Sequence, residues 1–254
     1  MLRFFLQKIP YRFLKRPTDK IGVFASYHSK MSAISKFNLT QVFERFNPLY
    51  LLSKDLEGCI VECGVGYGRS ALLIESLLQY YNDKSYFFLF DSFKGFPAPT
   101  DEDLTSEIKP KKGEWNKIGP KSLYEMLSAS KNDGPGPCDV ETYKRDEKYR
   151  IKIVEGFFAD SLTPNIINKI KKQKGIKFLH LDVDLYESYK QTLEALFPLV
   201  NKGGVILLDE YDEPPDTKFP GARLAIDEYL ESQNLDPNKV ILTDNMGKSY
   251  LIKT

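Results

Sequence analysis

The 254-residue sequence contains little cysteine and a single tryptophan. Its three cysteines include Cys59 and Cys63, which fall inside one apolar run, and no second cluster of cysteine and histidine accompanies them. Such thiols are more typical of a hydrophobic core than of a zinc site. An odd and sparse cysteine count is also typical of a reducing compartment, so we expect a cytoplasmic protein.

The sequence also lacks an excess of charge and a long apolar run. Lysine and arginine number 36 against 35 aspartates and glutamates, so the basic field typical of proteins that bind nucleic acid is absent. No apolar run approaches the roughly 18 residues that span a bilayer. We therefore expect neither a nucleic-acid partner nor a membrane-spanning helix.

The first 16 residues form a basic, amphipathic stretch that Pro10 interrupts. The stretch lacks the continuous apolar centre and the cleavage site of a signal peptide. Packing against the domain or against a partner subunit is the favoured interpretation, and contact with an anionic membrane surface is the alternative.

Short apolar segments that are bounded by glycine, proline or aspartate alternate with helical patterns along most of the chain. The segments predict buried strands at 59–63, 86–91, 150–156, 176–184 and 204–210. The helical patterns lie at 69–81, 164–173, 188–200 and 221–232. This alternation predicts a doubly wound α/β fold with a parallel sheet, in which ligands bind at the carboxyl ends of the strands.

The end of the chain departs from this alternation. Segments 239–243 and 249–254 resemble strands, and the five turn-forming residues between them predict an antiparallel hairpin. A parallel sheet that closes with a hairpin is typical of class I S-adenosylmethionine methyltransferases and not of the dinucleotide-binding fold. We therefore predict a Rossmann-like, seven-stranded, mostly parallel sheet with a C-terminal antiparallel hairpin and helices on both faces.

Two regions fall outside the predicted sheet. Residues 1–50 are interpreted as an N-terminal helical extension of a domain that covers 51–254. Within that domain, residues 98–149 are too many for an ordinary connection. They form either a disordered insertion or a lid over the pocket, and a lid is favoured because the segment contains Trp115 and begins beside a pocket strand.

Three alternating glycines follow the first strand, in the sequence CGVGYGRS. Such a turn lets backbone amides approach a ligand at a helix N-terminus. The spacing differs from the dinucleotide fingerprint, and no lysine follows as in a phosphate-binding loop. Glu62, just before the turn, suits a positively charged ligand such as the amino group and sulfonium of S-adenosylmethionine. The alternative is a tight turn without a ligand.

Two further polar sites follow later strands. Asp91 ends the second strand, where its carboxylate could accept hydrogen bonds from ribose hydroxyls or cap a helix. Asp160 and Ser161 follow the third strand, where they could contact an adenine amine or cap the next helix. The sequence leaves both pairs of alternatives open.

Carboxylates are concentrated after the fourth and fifth strands. Asp182 and Asp184 follow one strand, and Asp209 and Glu210 follow the other. Because neighbouring strands lie about 4.8 Å apart, these groups should converge. Carboxylates so close together favour a bound cation, and oxygen ligands favour Mg²⁺, Mn²⁺ or Ca²⁺. Helix caps and ion pairs with lysine or arginine are the alternatives, and His180 is interpreted as a buried or wall residue.

Five motifs in order carry a resemblance to a known family. They resemble motifs of the macrocin O-methyltransferase family and read VECGVGYGRSA, FLFDSFKGFP, VEGFFADSLTP, FLHLDVDLYES and GGVILLDEYDEP. Members of that family are metal-dependent class I S-adenosylmethionine enzymes that methylate sugar hydroxyls of macrolides. The resemblance covers about residues 58–232. It is most specific in FDSFKGFP and DVDLYES.

The resemblance implies a role for each matching residue. The implied cofactor-binding residues are Glu62, Gly64 and Gly66 at the methionine end of S-adenosylmethionine, Asp91 and Ser92 at the ribose, Asp160 and Ser161 near the adenine, and also Tyr67, Ser70 and Asp182. Asp182 is further implied as a Mg²⁺ ligand and as the base that takes the substrate proton. Asp209 and Glu210 complete the implied metal site, where the family usually has two aspartates.

The sequence thus predicts a Mg²⁺-dependent S-adenosylmethionine O-methyltransferase, with Mn²⁺ as a possible substitute. Its acceptor would be a hydroxyl of a sugar or a glycosylated small molecule, either an antibiotic or a surface-glycan sugar. The alternatives are a catechol-type O-methyltransferase, a non-catalytic protein that binds S-adenosylmethionine, and a nicotinamide-dependent dehydrogenase. We also expect a homo-oligomer.

Overall fold

The computed structural model describes residues 39–128, 150–211 and 218–254. The basic N-terminal stretch, Cys138 and the second half of the predicted lid lie outside these ranges. Within them, none of the helices combines the length and the apolar composition that crossing a bilayer requires.

Seven strands form one sheet whose order is β3-β2-β1-β4-β5-β7-β6. The strands are β1 Cys59–Cys63, β2 Phe87–Asp91, β3 Ile151–Glu155, β4 Ile176–Leu181, β5 Val200–Leu208, β6 Leu242–Thr243 and β7 Ser249–Ile252. The first five are parallel, whereas β7 runs antiparallel to both β5 and β6. The predicted sheet and its closing hairpin are therefore confirmed.

Helices cover both faces of the sheet, as predicted. They are α1 Leu39–Ser53, α2 Arg69–Tyr80, α3 Pro120–Ser128, α4 Phe158–Ser161, α5 Pro164–Lys172, α6 Tyr186–Leu196, α7 Pro220–Ser232 and α8 Pro237–Val240. Two 3₁₀ turns span Glu102–Leu104 and Phe197–Leu199. One apolar cluster joins the sheet to α5, α6 and α7, and a second joins it to α1, α2 and α3.

The ends of the sequence-predicted elements move for local reasons. The segment predicted as a strand at 239–243 begins inside α8, because Asp236 accepts a hydrogen bond from the backbone N–H of Asn238 and Pro237 starts the helix. Only residues 242–243 pair with β7. In the same way, Thr163 caps α5 by accepting from the N–H of Ile166.

Helix α1 crosses the predicted boundary between extension and domain. Phe46, Leu49 and Tyr50 are buried in the same cluster as α2 and α3. The Tyr50 hydroxyl donates to Asp83 at 2.5 Å, and Asp83 in turn pairs with the buried Lys177 at 2.6 Å. The division at residue 50 stays a prediction, but this helix packs as part of the core.

The turn after β1 lies directly against the chain that leaves β4. Gly64 has a φ of +82°, and a Cβ atom there would overlap the carbonyl oxygen of Asp182. The backbone N–H of Asp182 donates to the carbonyl of Cys63 at 3.0 Å. Because β2 lies on one side of β1 and β4 on the other, this is the point where the strand order reverses and where ligands of such sheets bind.

We expect Gly64→Ala to destabilise the fold far more than Gly113→Ala does. Both glycines have a φ of +82°, so both substitutions carry the same left-handed strain of about 1–2 kcal/mol. Only at Gly64 does the new methyl group meet backbone, whereas at Gly113 it meets no atom within 4 Å. Urea unfolding of the two variants measures the difference, and equal losses would contradict this packing.

Candidate functional site

A cavity of about 510 Å³ opens at the carboxyl edge of the sheet. Its walls come from the turn after β1, the loops after β2 and β3, the ends of β4 and β5, and helix α6. The cofactor-binding residues implied by the sequence that line it are Gly64, Gly66, Tyr67, Ser70, Asp91, Ser92 and Asp182. All three predicted metal ligands, Asp182, Asp209 and Glu210, also line it.

Asp91 holds the glycine turn in shape. One carboxylate oxygen accepts hydrogen bonds from the N–H groups of Val65 at 2.8 Å and Gly66 at 3.2 Å. The other accepts from the N–H of Phe93 at 2.7 Å. The Ser92 hydroxyl donates to the carbonyl of Gly95 at 2.7 Å. Asp91 therefore stabilises two loops at the cavity wall, and its predicted contact with ribose stays a prediction.

Glu62 lies beneath the glycine turn and not on the cavity surface. Its side chain is fully buried, and it accepts a hydrogen bond from the Ser70 hydroxyl at the start of α2. It also lies 3.3 Å from Nδ1 of His180, the residue aligned with it on β4. Its predicted contact with the methionine end of a cofactor stays a prediction. In the structure, Glu62 contacts Ser70, and Ser70 lines the cavity.

Asp160 and Ser161 also lie off the cavity surface. They belong to the short helix α4, where Asp160 is exposed and Ser161 is buried. The cavity is instead lined by Gly156, Phe157, Phe158 and Ala159 of the same loop. The predicted role of the pair near an adenine stays a prediction.

The carboxylates after β4 and β5 converge as the sheet order requires. Asp182, Asp184 and Glu210 bring one carboxylate oxygen each within 4.8 Å of one another. Asp182 and Asp209 form a second such group with a ring nitrogen of His180. Asp182 belongs to both groups and therefore lies at the centre of the acidic cluster.

The electrostatics of this cluster are those of a site that suits a cation. Burial raises the pKa of the Glu210 carboxyl well above its usual range, and the charges of Asp182 and Asp184 raise it further. The Tyr189 hydroxyl donates to Glu210, and burial likewise raises the pKa of Tyr189, so this donor keeps its proton. A divalent cation would relieve the repulsion, and an all-oxygen donor set fits Mg²⁺ or Mn²⁺.

Asp209 already has a cationic neighbour in the chain. Nζ of Lys248, at the start of the final hairpin strand, lies 3.3 Å from Oδ2 of Asp209. The predicted alternative of an ion pair is thus realised at Asp209. Lys248 balances part of the acidic charge at Asp209, while Glu210 is the more deeply buried of the two residues that follow β5.

The described part of the predicted lid packs along the cavity. Phe96 and the 113–114 turn close a loop, because the N–H of Phe96 donates to the Glu114 carbonyl at 2.8 Å and the N–H of Gly113 donates to the Phe96 carbonyl at 3.0 Å. Glu114 also pairs with Lys218 at 2.7 Å, which ties the loop to the chain before α7. Trp115 then lines the cavity beside Tyr67, with ring centroids 6.0 Å apart.

Asp103 anchors this segment to the carboxyl edge of the sheet. Its carboxylate is fully buried, and it accepts from the N–H of Tyr186 at 2.8 Å and from the N–H of Thr100 at 2.9 Å. Tyr186 is the first residue of α6, the helix that follows Asp182 and Asp184. The segment is therefore fastened to the loop that carries the central acid.

A comparison with protein families shows to which family this chain is related. The sequence matches the family described as macrocin-O-methyltransferase (TylF) over residues 34–250. The chain belongs to the macrocin-O-methyltransferase family. The match extends through α1 and the closing hairpin, beyond the 58–232 range over which the sequence motifs resemble the family.

Three relatives, from two Streptomyces species and one Micromonospora species, are each similar to part of this macrocin-O-methyltransferase family member. The demethyldecarbamoylnovobiocin O-methyltransferase of Streptomyces niveus is 27% identical over 181 residues, which are 70% of this chain and 60% of the relative. A Streptomyces olivaceus enzyme, named as an 8-demethyl-8-(2,3-dimethoxy-alpha-L-rhamnosyl)-tetracenomycin-C 4'-O-methyltransferase, is 24% identical over 63% of this chain and 56% of its own. The mycinamicin III 3''-O-methyltransferase of Micromonospora griseorubida is 22% identical over 77% and 69%. The matches thus span less than two thirds of the first two relatives.

Solved structures agree with the fold. The calicheamicin methyltransferase CalS11 superposes with a TM-score of 0.68 at 26% identity, over 84% of this chain and 79% of that one. The O-methyltransferase NovP superposes with a TM-score of 0.61 at 20% identity, over 85% and 79%. The class I methyltransferase fold predicted from the sequence is confirmed.

Several cavity residues of this family member were missed by sequence reasoning. Arg69, Glu187 and Gln191 lie on helices, and Phe157 and Phe219 lie on loops. The available signal was position for Arg69, Phe157 and Glu187, because each stands within six residues of a strand's carboxyl end, whereas Gln191 and Phe219 lie farther along the chain. Residue type alone does not distinguish them from ordinary surface or core side chains.

We expect Glu210→Gln to remove a pH-dependent loss of stability from the metal-free protein. The unfolded chain ionises Glu210 near pH 4.5, whereas the folded protein retains its proton to higher pH. Wild type should therefore lose stability relative to the variant as the pH rises above about 4.5, by up to about 1.4 kcal/mol per pH unit, until the folded pKa is passed. Urea unfolding with chelator from about pH 5 to about pH 8 measures the difference. Parallel profiles would contradict the raised pKa, and Glu194→Gln, on the exposed side of α6, is the control.

Asp103→Asn should loosen residues 96–119, here called the anchored segment. The amide keeps the size of the side chain but turns one acceptor into a donor that faces a backbone N–H. We therefore expect the free energy of unfolding to fall by about 1–3 kcal/mol. Limited proteolysis should also cut residues 96–119 faster in this variant. Asp101→Asn is the control, because Asp101 is exposed two residues away. Equal effects of the two substitutions would show that Asp103 does not anchor the segment.

Proposed function

We propose that this protein is a metal-dependent O-methyltransferase that transfers the methyl group of S-adenosylmethionine to a hydroxyl of a sugar or sugar-bearing small molecule. Membership of the macrocin-O-methyltransferase family supports the reaction class. The observation that carries the proposal is the position of Asp182. The carbonyl oxygen of Asp182 lies against Gly64 in the turn after β1, here called the donor turn. Asp182 also belongs to both groups of the acidic cluster, so the methyl donor and the acceptor hydroxyl would meet at this residue.

The donor site is formed by the turn after β1 and its supports. S-adenosylmethionine supplies a methyl group on a positively charged sulfur, which a nucleophilic oxygen can attack. Asp91 fixes the N–H groups of Val65 and Gly66, and Glu62 holds Ser70 from below. The surplus of carboxylates over cationic side chains on the cavity wall favours a cationic ligand.

The metal site would consist of Asp182, Asp209 and Glu210, with Asp184 adjacent. Bound Mg²⁺, or Mn²⁺ in its place, would lower the pKa of an acceptor hydroxyl. The raised pKa of Glu210 supports this assignment, because burial and then the charges of Asp182 and Asp184 disfavour its ionised form, and a bound cation would offset both effects. Glu210 takes the place of the usual aspartate, and its longer side chain reaches the cluster while it accepts from Tyr189.

Asp182 is the proposed general base. Its carboxylate lies in the cavity, where it can accept the hydroxyl proton while the new carbon–oxygen bond forms. The anchored segment 96–119 restricts access of water to this space and holds Trp115 against its wall. The remaining requirement is alignment of the acceptor oxygen with the methyl group, which the fixed strand ends provide.

The aromatic side chains of the cavity support a sugar-bearing acceptor. Trp115, Phe219 and Phe96 lie on the side formed by the anchored segment, and Phe96 meets Phe219 edge to face at 5.8 Å. Apolar faces with a few polar groups are typical of small-molecule sites. The names of the three relatives include glycosylated antibiotics, and a surface-glycan sugar fits the same cavity chemistry.

The test combines binding and transfer. Purified protein is titrated with S-adenosylmethionine in a calorimeter and then incubated with methyl-labelled donor, Mg²⁺ and a panel of nucleotide-activated deoxysugars, deoxysugar glycosides and catechols. Asp182→Asn should remain folded but lose turnover by at least about 100-fold. Glu194→Gln should behave as wild type.

Each failure has a distinct meaning. Absence of donor binding would contradict the reaction class, and binding without transfer to any acceptor would leave a binding protein. Transfer that survives chelation would contradict the metal, and transfer to catechols alone would contradict the sugar acceptor. The homo-oligomer and the cytoplasmic location stay predictions; sedimentation of the full chain tests the first, and fractionation of the source cells tests the second.

A further inference from the structure

A buried row of polar side chains runs under the cavity from the donor turn to the acidic cluster. It begins at Ser70, whose hydroxyl donates to Glu62. Nδ1 of His180 lies 3.3 Å from the same Glu62 oxygen, and Nε2 of His180 lies 3.7 Å from Oδ1 of Asp209. Ser70 and Asp209 line the cavity, whereas Glu62 and His180 are fully buried behind it.

The strand register explains why these side chains meet. Glu62 on β1 is the aligned partner of His180 on β4, so both point to the same face of the sheet. Asp209 follows β5, the other neighbour of β4. The edge of the Phe46 ring meets the imidazole with centroids 5.2 Å apart, which fixes the plane of His180 between the two acids.

Packing alone does not account for this arrangement. The same face is otherwise apolar, with Ile60, Phe178 and Leu207 as neighbours along the three strands. Burying polar groups costs free energy unless they are paired, and apolar residues of similar volume often serve a core equally well. Each ring nitrogen faces a carboxylate: Nδ1 lies within hydrogen-bond distance of Glu62 and Nε2 lies 3.7 Å from Asp209, so each side of the ring contacts a different part of the site.

We propose that His180 is a positioning residue with two separable roles: its Nε2 side orients Asp209 for the divalent cation, and its Nδ1 side holds Glu62 and Ser70 beneath the donor turn. The inference rests on the proposed function, because it assigns how that metal site and donor site are supported. Groups that orient metal ligands in this way commonly change metal affinity by about 10–100-fold when they are removed. Lys248 lies beside the other oxygen of Asp209, so His180 and Lys248 together contact both oxygens of this carboxylate.

Two conservative variants separate the two roles. The amide nitrogen of glutamine reaches the position of Nε2, and that of asparagine reaches the position of Nδ1. We expect His180→Gln to bind Mn²⁺ within about threefold of wild type but to bind S-adenosylmethionine about tenfold more weakly, as for one lost hydrogen bond. We expect His180→Asn to show the reverse, with Mn²⁺ affinity reduced by about 10–100-fold and donor affinity retained.

The measurements need no turnover. Free Mn²⁺ is followed by electron paramagnetic resonance, and donor binding is followed by calorimetry without acceptor. Lys177→Met is the matched control, because Lys177 is buried on the same strand at the opposite edge of the sheet, where it pairs with Asp83. That variant should lose stability and keep both affinities.

Equal shifts of both affinities in the glutamine and asparagine variants, or no shift in either, would overturn the inference while leaving the proposed function intact. His180→Phe with wild-type affinities would overturn it in the same way. A wild-type protein that binds neither Mn²⁺ nor S-adenosylmethionine would overturn the proposed function itself, and the inference with it.

Discussion

The close approach of Gly64 to the carbonyl oxygen of Asp182 is the constraint on which the rest of the site depends. The absence of a side chain at Gly64 lets the turn after β1 touch the chain that leaves β4. This contact brings the glycine turn and the acidic cluster side by side on the lining of one cavity. Any side chain at that position would push apart the two parts that a methyl transfer must bring together.

The acidic cluster shows how the fold tolerates an unfavourable charge distribution. Four carboxylates follow two neighbouring strands, and burial keeps water from screening Glu210. The chain compensates in part through Tyr189, which donates to Glu210, and through Lys248, which lies beside Asp209. The remaining repulsion is what makes the cluster suited to a divalent cation. Local stability is thus lower where a cation would bind.

Support for the site comes mainly from residues that do not line the cavity. Glu62 and His180 lie buried behind the donor turn and the acidic cluster. Asp103 fastens the anchored segment to the start of α6. Buried hydrogen bonds of this kind restrict side-chain rotation, which is how positions are kept to a fraction of an ångström. The family motif therefore contains supporting residues as well as residues on the cavity surface.

The sequence by itself determined the order of strands and helices, the hairpin that closes the sheet, and the meeting of carboxylates from the ends of β4 and β5 around Asp182. These follow from local periodicity and from the rule that parallel strands end at one edge. The tertiary structure alone decided that Glu62 lies beneath the turn, that Asp91 bonds the turn, and that Asp103 reaches the start of α6. Such contacts depend on side-chain directions and on residues far apart in the chain, as in the 83 positions between Asp103 and Tyr186, and no local pattern records them.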